Sequence, residues 1–231
     1  MNKEKRKIRK MFNSIAKNYD LLNHILTFGL DYYWRKKAIQ EFQNNPKKIL
    51  DIATGTGDFA ISAYYNLENV KITGIDISEE MIKKGEKKII KKKIDHIINL
   101  EIGDAESLSF NDNTFDGITV GFGVRNFENL DKGLSELYRT LKKGGKIVIL
   151  EPSNPGYFPM KQIHYFYFNY ITPLIGKLIS GDNQAYSYLS KSVNNFPKGK
   201  LFLNHMKNKG FLELEHKKLS FGVVDMYTAI K

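Results

Sequence analysis

The fold is decided by the stretch Ile49-Leu50-Asp51-Ile52-Ala53-Thr54-Gly55-Thr56-Gly57-Asp58, which reads as a buried strand, a glycine-rich turn and the start of a helix. Gly55 and Gly57 let the backbone turn sharply and approach a ligand closely. The helix that follows points its N-terminal N–H groups at that ligand. The stretch therefore predicts a nucleotide-binding turn in an α/β sheet.

Strands and helices alternate along much of the remaining sequence. Helical patterns precede the first strand, and Gly144-Gly145 is expected to end a helix over 130–141. Strands are predicted at 49–53, 70–75, 97–102, 115–120, 147–150, 212–219 and 223–230. This spacing predicts a doubly wound, mostly parallel seven-stranded sheet with N-terminal helices and a helical insertion after strand 5.

The domain organisation follows from the same pattern. Neither an internal repeat nor a Gly/Ser linker interrupts the sequence, so a single domain over 1–231 is expected. Its predicted parts are an N-terminal helical cap (1–45), a cofactor-binding core (46–151), an aromatic helical lid (152–200) and a C-terminal helix with strands (201–231).

Composition excludes several classes of chemistry. The 231 residues include no cysteine, which excludes disulfides and thiolate nucleophiles, and the five histidines are too scattered to predict a metal site. No apolar run is long enough to span a membrane. The net charge of +11 has two interpretations, a lysine-rich proteome or attraction to an anionic surface.

Charge at the turn separates two classes of cofactor. Asp76 closes the second strand 19 positions after Gly57, where a carboxylate can bind a ribose diol. Asp58 at the helix start would repel the pyrophosphate of a dinucleotide but suits the sulfonium and ammonium groups of S-adenosylmethionine. The predicted cofactor-binding residues are Thr56, Asp76, Asp104, Ala105, Asp51, Gly55 and Gly57.

The order of these motifs resembles the class I S-adenosylmethionine methyltransferases. More specific segments are Tyr19-Asp20-Leu21-Leu22-Asn23, Phe28-Gly29-Leu30 with Trp34-Arg35, Gly121-Phe122-Gly123-Val124-Arg125-Asn126, Ile175-Gly176, and Tyr186-x-Tyr188-Leu189-x-x-Ser192. These resemble the menaquinone/ubiquinone biosynthesis C-methyltransferase family over residues 9–231.

The resemblance implies a specific reaction, with three departures from the family pattern. It implies transfer of a methyl group from S-adenosylmethionine to a ring carbon of demethylmenaquinol, and in some members of a ubiquinol precursor. Asp31 stands where the family usually has His, and Asp104 replaces a common Asn. Gly121 stands where many members have a Ser that touches the cofactor, so that contact is not carried over.

Arg125 is the predicted catalytic residue. A quinol carbon becomes a good nucleophile once the adjacent hydroxyl loses its proton, and a guanidinium can stabilise the resulting oxyanion. The alternative is a structural salt bridge. Weaker candidates for handling the proton, each of which could equally be a cap or a packing group, are Tyr19, Asp20, His24 and His164.

The aromatic segment after strand 5 has two interpretations, core or oligomer packing and a lid over an apolar substrate. Because a prenylated quinol keeps its tail in lipid, we expect cytoplasmic localisation with peripheral contact at the inner face of the cytoplasmic membrane. The sequence leaves open whether the protein forms a homodimer, and no nucleic-acid partner is expected. The aromatic residues of this segment are Phe158, His164, Tyr165, Phe166, Tyr167, Phe168 and Tyr170.

Two rival functions compete with this interpretation. One is a methyltransferase of the same fold acting on another small lipid-like substrate, and only the family-specific segments argue against it. The other is a basic RNA-directed or non-catalytic protein, which would be expected to show an arginine-rich stripe or aromatic platforms on strands. Neither signal is present in the sequence.

Overall fold

The computed structural model describes residues 3–43, 45–172 and 183–231. The strands are β1 (Lys48–Ile52), β2 (Lys71–Asp76), β3 (Ile98–Ile102), β4 (Phe115–Gly121), β5 (Leu141–Pro152), β6 (Leu212–Leu219) and β7 (Val224–Ile230). They form one seven-stranded sheet in the order β3-β2-β1-β4-β5-β7-β6. β7 runs antiparallel to both of its neighbours, and the other pairings are parallel. The predicted fold class is confirmed.

Helices cover both faces of the sheet and its carboxyl edge. They are α1 (Lys3–Ile15), α2 (Tyr19–Leu26), α3 (Leu30–Ile39), α4 (Asp58–Asn66), α5 (Glu79–Lys91), α6 (Leu130–Thr140), α7 (Met160–Phe166), α8 (Asn183–Asn195) and α9 (Lys200–Asn208). A π-helical turn, Tyr167–Ile171, continues α7. Among the described residues, no helix is both long and apolar enough to cross a membrane.

The core is divided by the sheet into two apolar layers. In β1, Ile49 packs into one layer, while Leu50 and Ile52 pack into the other. Side chains alternate between faces along a strand, so an apolar run such as this one is buried on both sides. Burying each such side chain contributes about 1.5–3 kcal/mol relative to exposure. The sheet is therefore the rigid base from which the loops extend.

The prediction that Gly144-Gly145 ends a helix is wrong. α6 ends at Thr140, and the next residue, Leu141, already pairs with Phe115 of β4. The two glycines instead lie inside β5, at an irregularity in the β4–β5 register. Gly144 has φ +73°, a conformation that few other residues adopt easily. The glycines thus allow a bulge rather than a helix cap.

The N-terminal helices are tied to the sheet by apolar and polar contacts. Trp34, Ala38 and Ile39 of α3 are buried in the layer that contains α4. The Trp34 indole N–H also donates to the Ser220 hydroxyl over 2.8 Å. α1 packs against α5, which places it beside the carboxyl ends of β2 and β3.

Candidate active site

The glycine-rich turn after β1 is bound to the end of β2. Ala53, Gly55 and Gly57 take φ values of 52°, 56° and 82°. Positive φ costs little at glycine and is unusual at alanine, so the turn is tightly determined by its surroundings. The Gly55 N–H donates to Asp76 Oδ2 over 2.9 Å. This contact fixes the turn relative to the carboxylate.

Asp76 is held in place by backbone donors on both sides. Its Oδ1 accepts from the Ser78 N–H over 2.8 Å, and its Oδ2 accepts from Gly55. Burial raises the pKa of Asp76, although these N–H groups oppose the shift. Each carboxylate oxygen has two lone pairs. Asp76 therefore keeps acceptor capacity for the hydroxyl groups of a ligand.

A cavity between the strand ends and α1 contains Asp76. It encloses about 720 Å³, counting space open to solvent. Four of the seven predicted cofactor-binding residues line it, namely Gly55, Asp76, Asp104 and Ala105. The apolar part of its wall comes from Ile8, Phe12, Ile75, Ile77, Met81 and Phe127. We call this space the cofactor cavity.

The chemistry of the cofactor cavity fits an adenosyl group. Asp76 can accept from a ribose diol, Asp104 can accept from an amino group, and the apolar wall suits the faces of a purine. At the edge of the cavity, the backbone of Gly123 packs unusually close to Ala53. A Cβ added at Gly123 would come within 2.4 Å of Ala53 Cβ. The residues present therefore match the predicted cofactor.

Three predicted cofactor residues lie outside this cavity. Asp51 and Thr56 line a smaller neighbouring cleft together with Gly55, and Gly57 lines neither space. The Thr56 hydroxyl donates to Asp20 Oδ1 over 2.5 Å. The structure thus places Thr56 in contact with the N-terminal cap, while its neighbour Gly55 faces the cofactor cavity.

Asp51 is a fully buried carboxylate beside that cleft. The hydroxyls of Thr54 and Thr119 donate to it over 2.5 Å and 2.7 Å. Burial raises its pKa to about 6, although both hydrogen bonds oppose the shift. A cation in the cleft would favour the ionised form. Asp51 is thus suited to the positively charged end of S-adenosylmethionine.

A second cavity lies between α2, α3 and the insertion after β5. It encloses about 850 Å³, again counting space open to solvent. Its apolar wall includes Leu26, Trp34, Phe122, Phe168, Leu189, Val223 and Val224. Its polar groups come from Asn23, Thr27, Asp31, Arg35, Arg125 and His164. We call this space the lid cavity.

Arg125 lines the lid cavity and also makes a buried ion pair. Its Nη1 lies 3.0 Å from Glu151 Oε2 and also donates to the Phe122 carbonyl. Its Nε–H is buried and has no hydrogen-bond partner among the described residues. The structural salt bridge considered above is present. The guanidinium nevertheless retains an unpaired donor.

Tyr19 lines both the cofactor cavity and the lid cavity. Burial raises the pKa of its phenol, while Asn23, Arg125 and Arg35 oppose the shift. The phenol therefore stays protonated at neutral pH and can donate a hydrogen bond. Its ring also lies against the glycine-rich turn, since a Cβ added at Gly55 would be 3.7 Å from Tyr19 Cε1.

The other proton-handling candidates occupy different surroundings. His164 lines the lid cavity, and burial lowers its pKa. Asp20 lies on α2, and its Oδ2 is 3.0 Å from Lys88 Nζ of α5. His24 Nδ1 lies 2.8 Å from Asp31 Oδ2, and His24 faces a separate surface cleft. Of these three residues, only His164 is in contact with the lid cavity.

Sequence reasoning did not assign three charged residues to the site, namely the pair of Arg35 with Asp31 and, separately, Lys5. Arg35 Nη1 donates to the buried Asp31 Oδ2 over 2.5 Å, and both residues line the lid cavity. Their spacing of four residues on one helix is a signal that could have predicted this pair. Lys5, which lines the cofactor cavity, carried no comparable signal. Ile175, Gly176 and the side chain of Tyr186 lie outside the described residues.

Comparisons with known proteins identify relatives of this chain. The demethylmenaquinone methyltransferase of Bacteroides fragilis is 47% identical to this chain, over 99% of this chain and 94% of its own. The ubiquinone/menaquinone biosynthesis C-methyltransferase UbiE of Geotalea daltonii is 42% identical, over 97% and 96%. A solved SAM-dependent methyltransferase from Aquifex aeolicus has a TM-score of 0.62 at 17% identity, covering 87% and 91%, and this likeness shows the fold alone.

The family assignment rests on the whole chain. The model of the ubiE/COQ5 methyltransferase family matches residues 1–231. The prediction from the sequence that the protein is an S-adenosylmethionine-dependent methyltransferase is confirmed by this match. The chain belongs to the ubiE/COQ5 methyltransferase family.

Proposed function

We propose that the protein methylates a ring carbon of demethylmenaquinol and so produces menaquinol. The names of its relatives support this substrate. The observation that carries the proposal is Arg125, which lines an apolar cavity that meets the cofactor cavity at Tyr19 and whose Nε–H has no hydrogen-bond partner among the described residues. An aromatic quinol with a developing oxyanion fits such a wall.

When bound, S-adenosylmethionine supplies an electrophilic methyl group on its sulfonium. A new carbon–carbon bond would form as the methyl–sulfur bond breaks and leaves its electron pair on sulfur. The ring carbon would then release its proton to restore the aromatic ring, and the oxyanion would regain one, so that the substrate loses one proton overall. The nucleophile is the carbon next to an ionised quinol hydroxyl. The task of the protein is to orient that carbon and to stabilise the negative oxygen.

In this mechanism Arg125 stabilises the oxyanion and does not accept the proton. A guanidinium is not deprotonated in proteins, so it is a poor base. Glu151 is fully buried and holds the guanidinium from the side of the sheet, which fixes the direction of the remaining donor. Such pre-oriented donors typically contribute roughly 100- to 1,000-fold in rate.

Tyr19 and His164 complete the proposed polar surroundings of the quinol. Tyr19 lines both cavities, so its protonated phenol is suited to donate to a quinol oxygen. His164 lines the lid cavity, and its lowered pKa keeps it neutral near pH 7. A neutral imidazole can accept the proton that the substrate loses. We assign these two roles as the donor and the acceptor.

The outer end of the lid cavity suits a prenyl tail, and the surrounding surface suits a bilayer. Phe28 and Phe158 are 78% and 79% exposed, an unusual state for phenylalanine. The Phe28 ring lies 5.7 Å from that of Tyr167, which lines the lid cavity. We propose that this aromatic surface rests in the interface of an anionic membrane and passes the substrate inward.

A lysine beside an exposed aromatic side chain would strengthen such contact. Lys37 Nζ lies 5.9 Å from the ring centre of the exposed Tyr33. Each lysine near anionic headgroups adds about 1 kcal/mol, which fades over a Debye length. Liposome flotation should therefore show binding that needs anionic lipid and weakens with salt. Binding that ignores both lipid charge and salt contradicts the electrostatic part.

The substrate is tested most simply in cells. Mass spectrometry of the quinones of a strain that lacks this protein should show demethylmenaquinone in place of menaquinone. Re-expression of the protein should restore menaquinone, whereas the Arg125→Lys variant should not. If a ubiquinol precursor is also a substrate, loss of the protein from a ubiquinone-producing host should cause the unmethylated precursor to accumulate. An unchanged quinone profile would overturn the proposal.

A further inference from the structure

We propose that Lys5 belongs to the cofactor site, where its ion pairs hold α1 closed over the adenosine pocket and set the rate at which the nucleoside leaves. This inference rests on the placement of S-adenosylmethionine in the cofactor cavity. Lys5, Ile8 and Phe12 are spaced by three and four residues and line that cavity. They therefore form one inward face of α1.

The Lys5 ammonium bridges two carboxylates that follow β3. Nζ lies 2.7 Å from Asp104 Oδ2 and 3.0 Å from Glu106 Oε2, and the Lys5 side chain is only 12% exposed. Burial alone would lower the pKa of Lys5, but the bonds to both carboxylates raise it overall. The ammonium therefore stays charged. Without it, the two carboxylates would repel each other at the rim of the cavity.

Lys5 and the adenine do not compete for Asp104. Asp104 Oδ2 accepts from Lys5, and Oδ1 accepts from the Glu106 N–H over 2.9 Å. An ionised carboxylate has about four lone-pair sites, so capacity remains for an exocyclic amino group. Lys5 can thus stay in place while the cofactor is bound. The ion pair then serves as a clasp on the occupied site.

The clasp is needed at the N-terminal half of α1 because the other half is held independently. Asn13 Oδ1 accepts from the Ser78 hydroxyl over 2.6 Å. Lys84 Nζ donates to the carbonyls of Ala16 and Lys17, just beyond the end of α1. In the first turns of α1, Lys5 binds Asp104 and Glu106, and a longer contact of 3.4 Å joins Arg9 to Glu79. Opening is therefore expected at the Lys5 end.

The first experiment measures the release of labelled S-adenosylhomocysteine by rapid filtration. Lys5→Met keeps the apolar stem but removes the charge, and should release the ligand roughly tenfold faster or more. Lys10→Met, an exposed lysine on the same helix, should release it at the parent rate. Lys5→Arg should largely restore slow release. Release from Lys5→Met that is unchanged or slower overturns the clasp.

A site control separates this inference from the placement on which it rests. Asp76→Ala should weaken equilibrium binding of the same ligand whether or not Lys5 acts as a clasp. If Asp76→Ala binds normally, the placement of the cofactor is wrong. If Asp76→Ala binds weakly while Lys5→Met releases at the parent rate, the placement stands and the clasp is wrong.

The second experiment uses the absence of cysteine from the sequence. Arg9→Cys and Glu79→Cys place two thiols on α1 and α5, on side chains that are 38% and 42% exposed. A short bis-maleimide should then link the helices in the loaded protein. The linked protein should release its ligand more slowly than the same variant before linking. Equal exchange before and after linking contradicts the opening of α1.

Discussion

The walls of the cofactor cavity come mainly from strand ends and tight turns, whereas those of the lid cavity come largely from helices outside the sheet. Asp76 is fixed by two backbone donors. In contrast, Tyr167 at the lid is joined to α2 by a hydrogen bond from its hydroxyl to the Leu26 carbonyl. The carboxylate at the end of β2 is thus held by the backbone, whereas the proposed site for an apolar substrate is built from side chains on separate helices. Substitutions at four positions, Arg125, Asp51, Asp76 and Tyr167, test this difference between the two cavities.

The largest effect is expected at Arg125, on the lid side. Arg125→Lys keeps the charge but loses the planar fork, so turnover should fall roughly 100-fold or more. Cofactor affinity, measured by calorimetry, should stay within about threefold of the parent, since Arg125 lines the lid cavity and not the cofactor cavity. Arg125→Ala would leave Glu151 buried without its partner and is expected to destabilise the fold by about 3–5 kcal/mol.

The double variant Arg125→Met with Glu151→Gln separates chemistry from folding, because it removes both charges together. It should fold with the cofactor affinity of the parent and still turn over slowly. Parent-like turnover in both this variant and Arg125→Lys would make Arg125 purely structural. Arg125 would then give no support to catalysis at the lid cavity.

The next effect concerns Asp51 on the cofactor side. Its folded pKa of about 6 lies above its ordinary value of 3.8, so the folded state binds more protons between these values. Stability is therefore highest below the ordinary pKa and falls as the pH rises through about 6. The full loss is about 3 kcal/mol, since each pKa unit corresponds to about 1.4 kcal/mol.

Asp51→Asn removes this titration. Relative to the parent, the free energy of unfolding of Asp51→Asn should therefore increase by about 2.5 kcal/mol between about pH 4 and pH 7, since part of the full loss has already occurred at pH 4. Urea unfolding at the two pH values measures this difference. A difference that does not change with pH would show that Asp51 carries no such cost. The carboxylate would then give no support to a site for a cation.

Asp76 tests the cofactor side of the comparison directly. Asp76→Ala removes charged hydrogen bonds to the ribose, each worth about 1.5–3 kcal/mol, so the dissociation constant should rise at least about tenfold. Turnover at saturating cofactor should change much less. Asp95→Ala, an exposed carboxylate, is the matched control. An unchanged dissociation constant in folded Asp76→Ala would remove this residue from the site.

The smallest effect is expected at the lid. Tyr167→Phe removes the hydroxyl that donates to the Leu26 carbonyl over 2.9 Å. Loss of one neutral hydrogen bond, about 0.5–1.5 kcal/mol, should raise KM for the quinol about two- to tenfold while cofactor affinity is unchanged. Tyr165→Phe, at an exposed position of α7, is the control. A change in cofactor affinity instead would mean that the two cavities are not separate.

The cofactor side could be predicted from the sequence because its signals are local. Gly55 and Gly57 follow an apolar strand, and Asp76 ends the next one, so a pattern of neighbours in sequence predicts neighbours in space. The wrong prediction that Gly144-Gly145 ends a helix also came from a local signal. Glycine permits either a helix cap or a bulge, and the pairing of Leu141 with Phe115 decided for the bulge.

The lid side and the clasp depend on contacts between distant parts of the chain. Lys5 meets Asp104 across 99 positions of sequence. The meeting of Tyr19 with Arg125 at the lid cavity needs the N-terminal helices to fold back over the end of β4. No periodicity reports such contacts. Arg125 itself was predicted from a resemblance, and its unpaired donor became visible only in the structure.

The central claim is that the lid cavity holds a quinol whose ring carbon takes the methyl group. The most direct test supplies purified protein with methyl-labelled S-adenosylmethionine and demethylmenaquinol in anionic vesicles, followed by chromatography of the extracted quinones. We predict label in menaquinol, with Arg125→Lys giving little label although it binds the cofactor normally. Cofactor binding without any label in the quinone fraction would contradict the account.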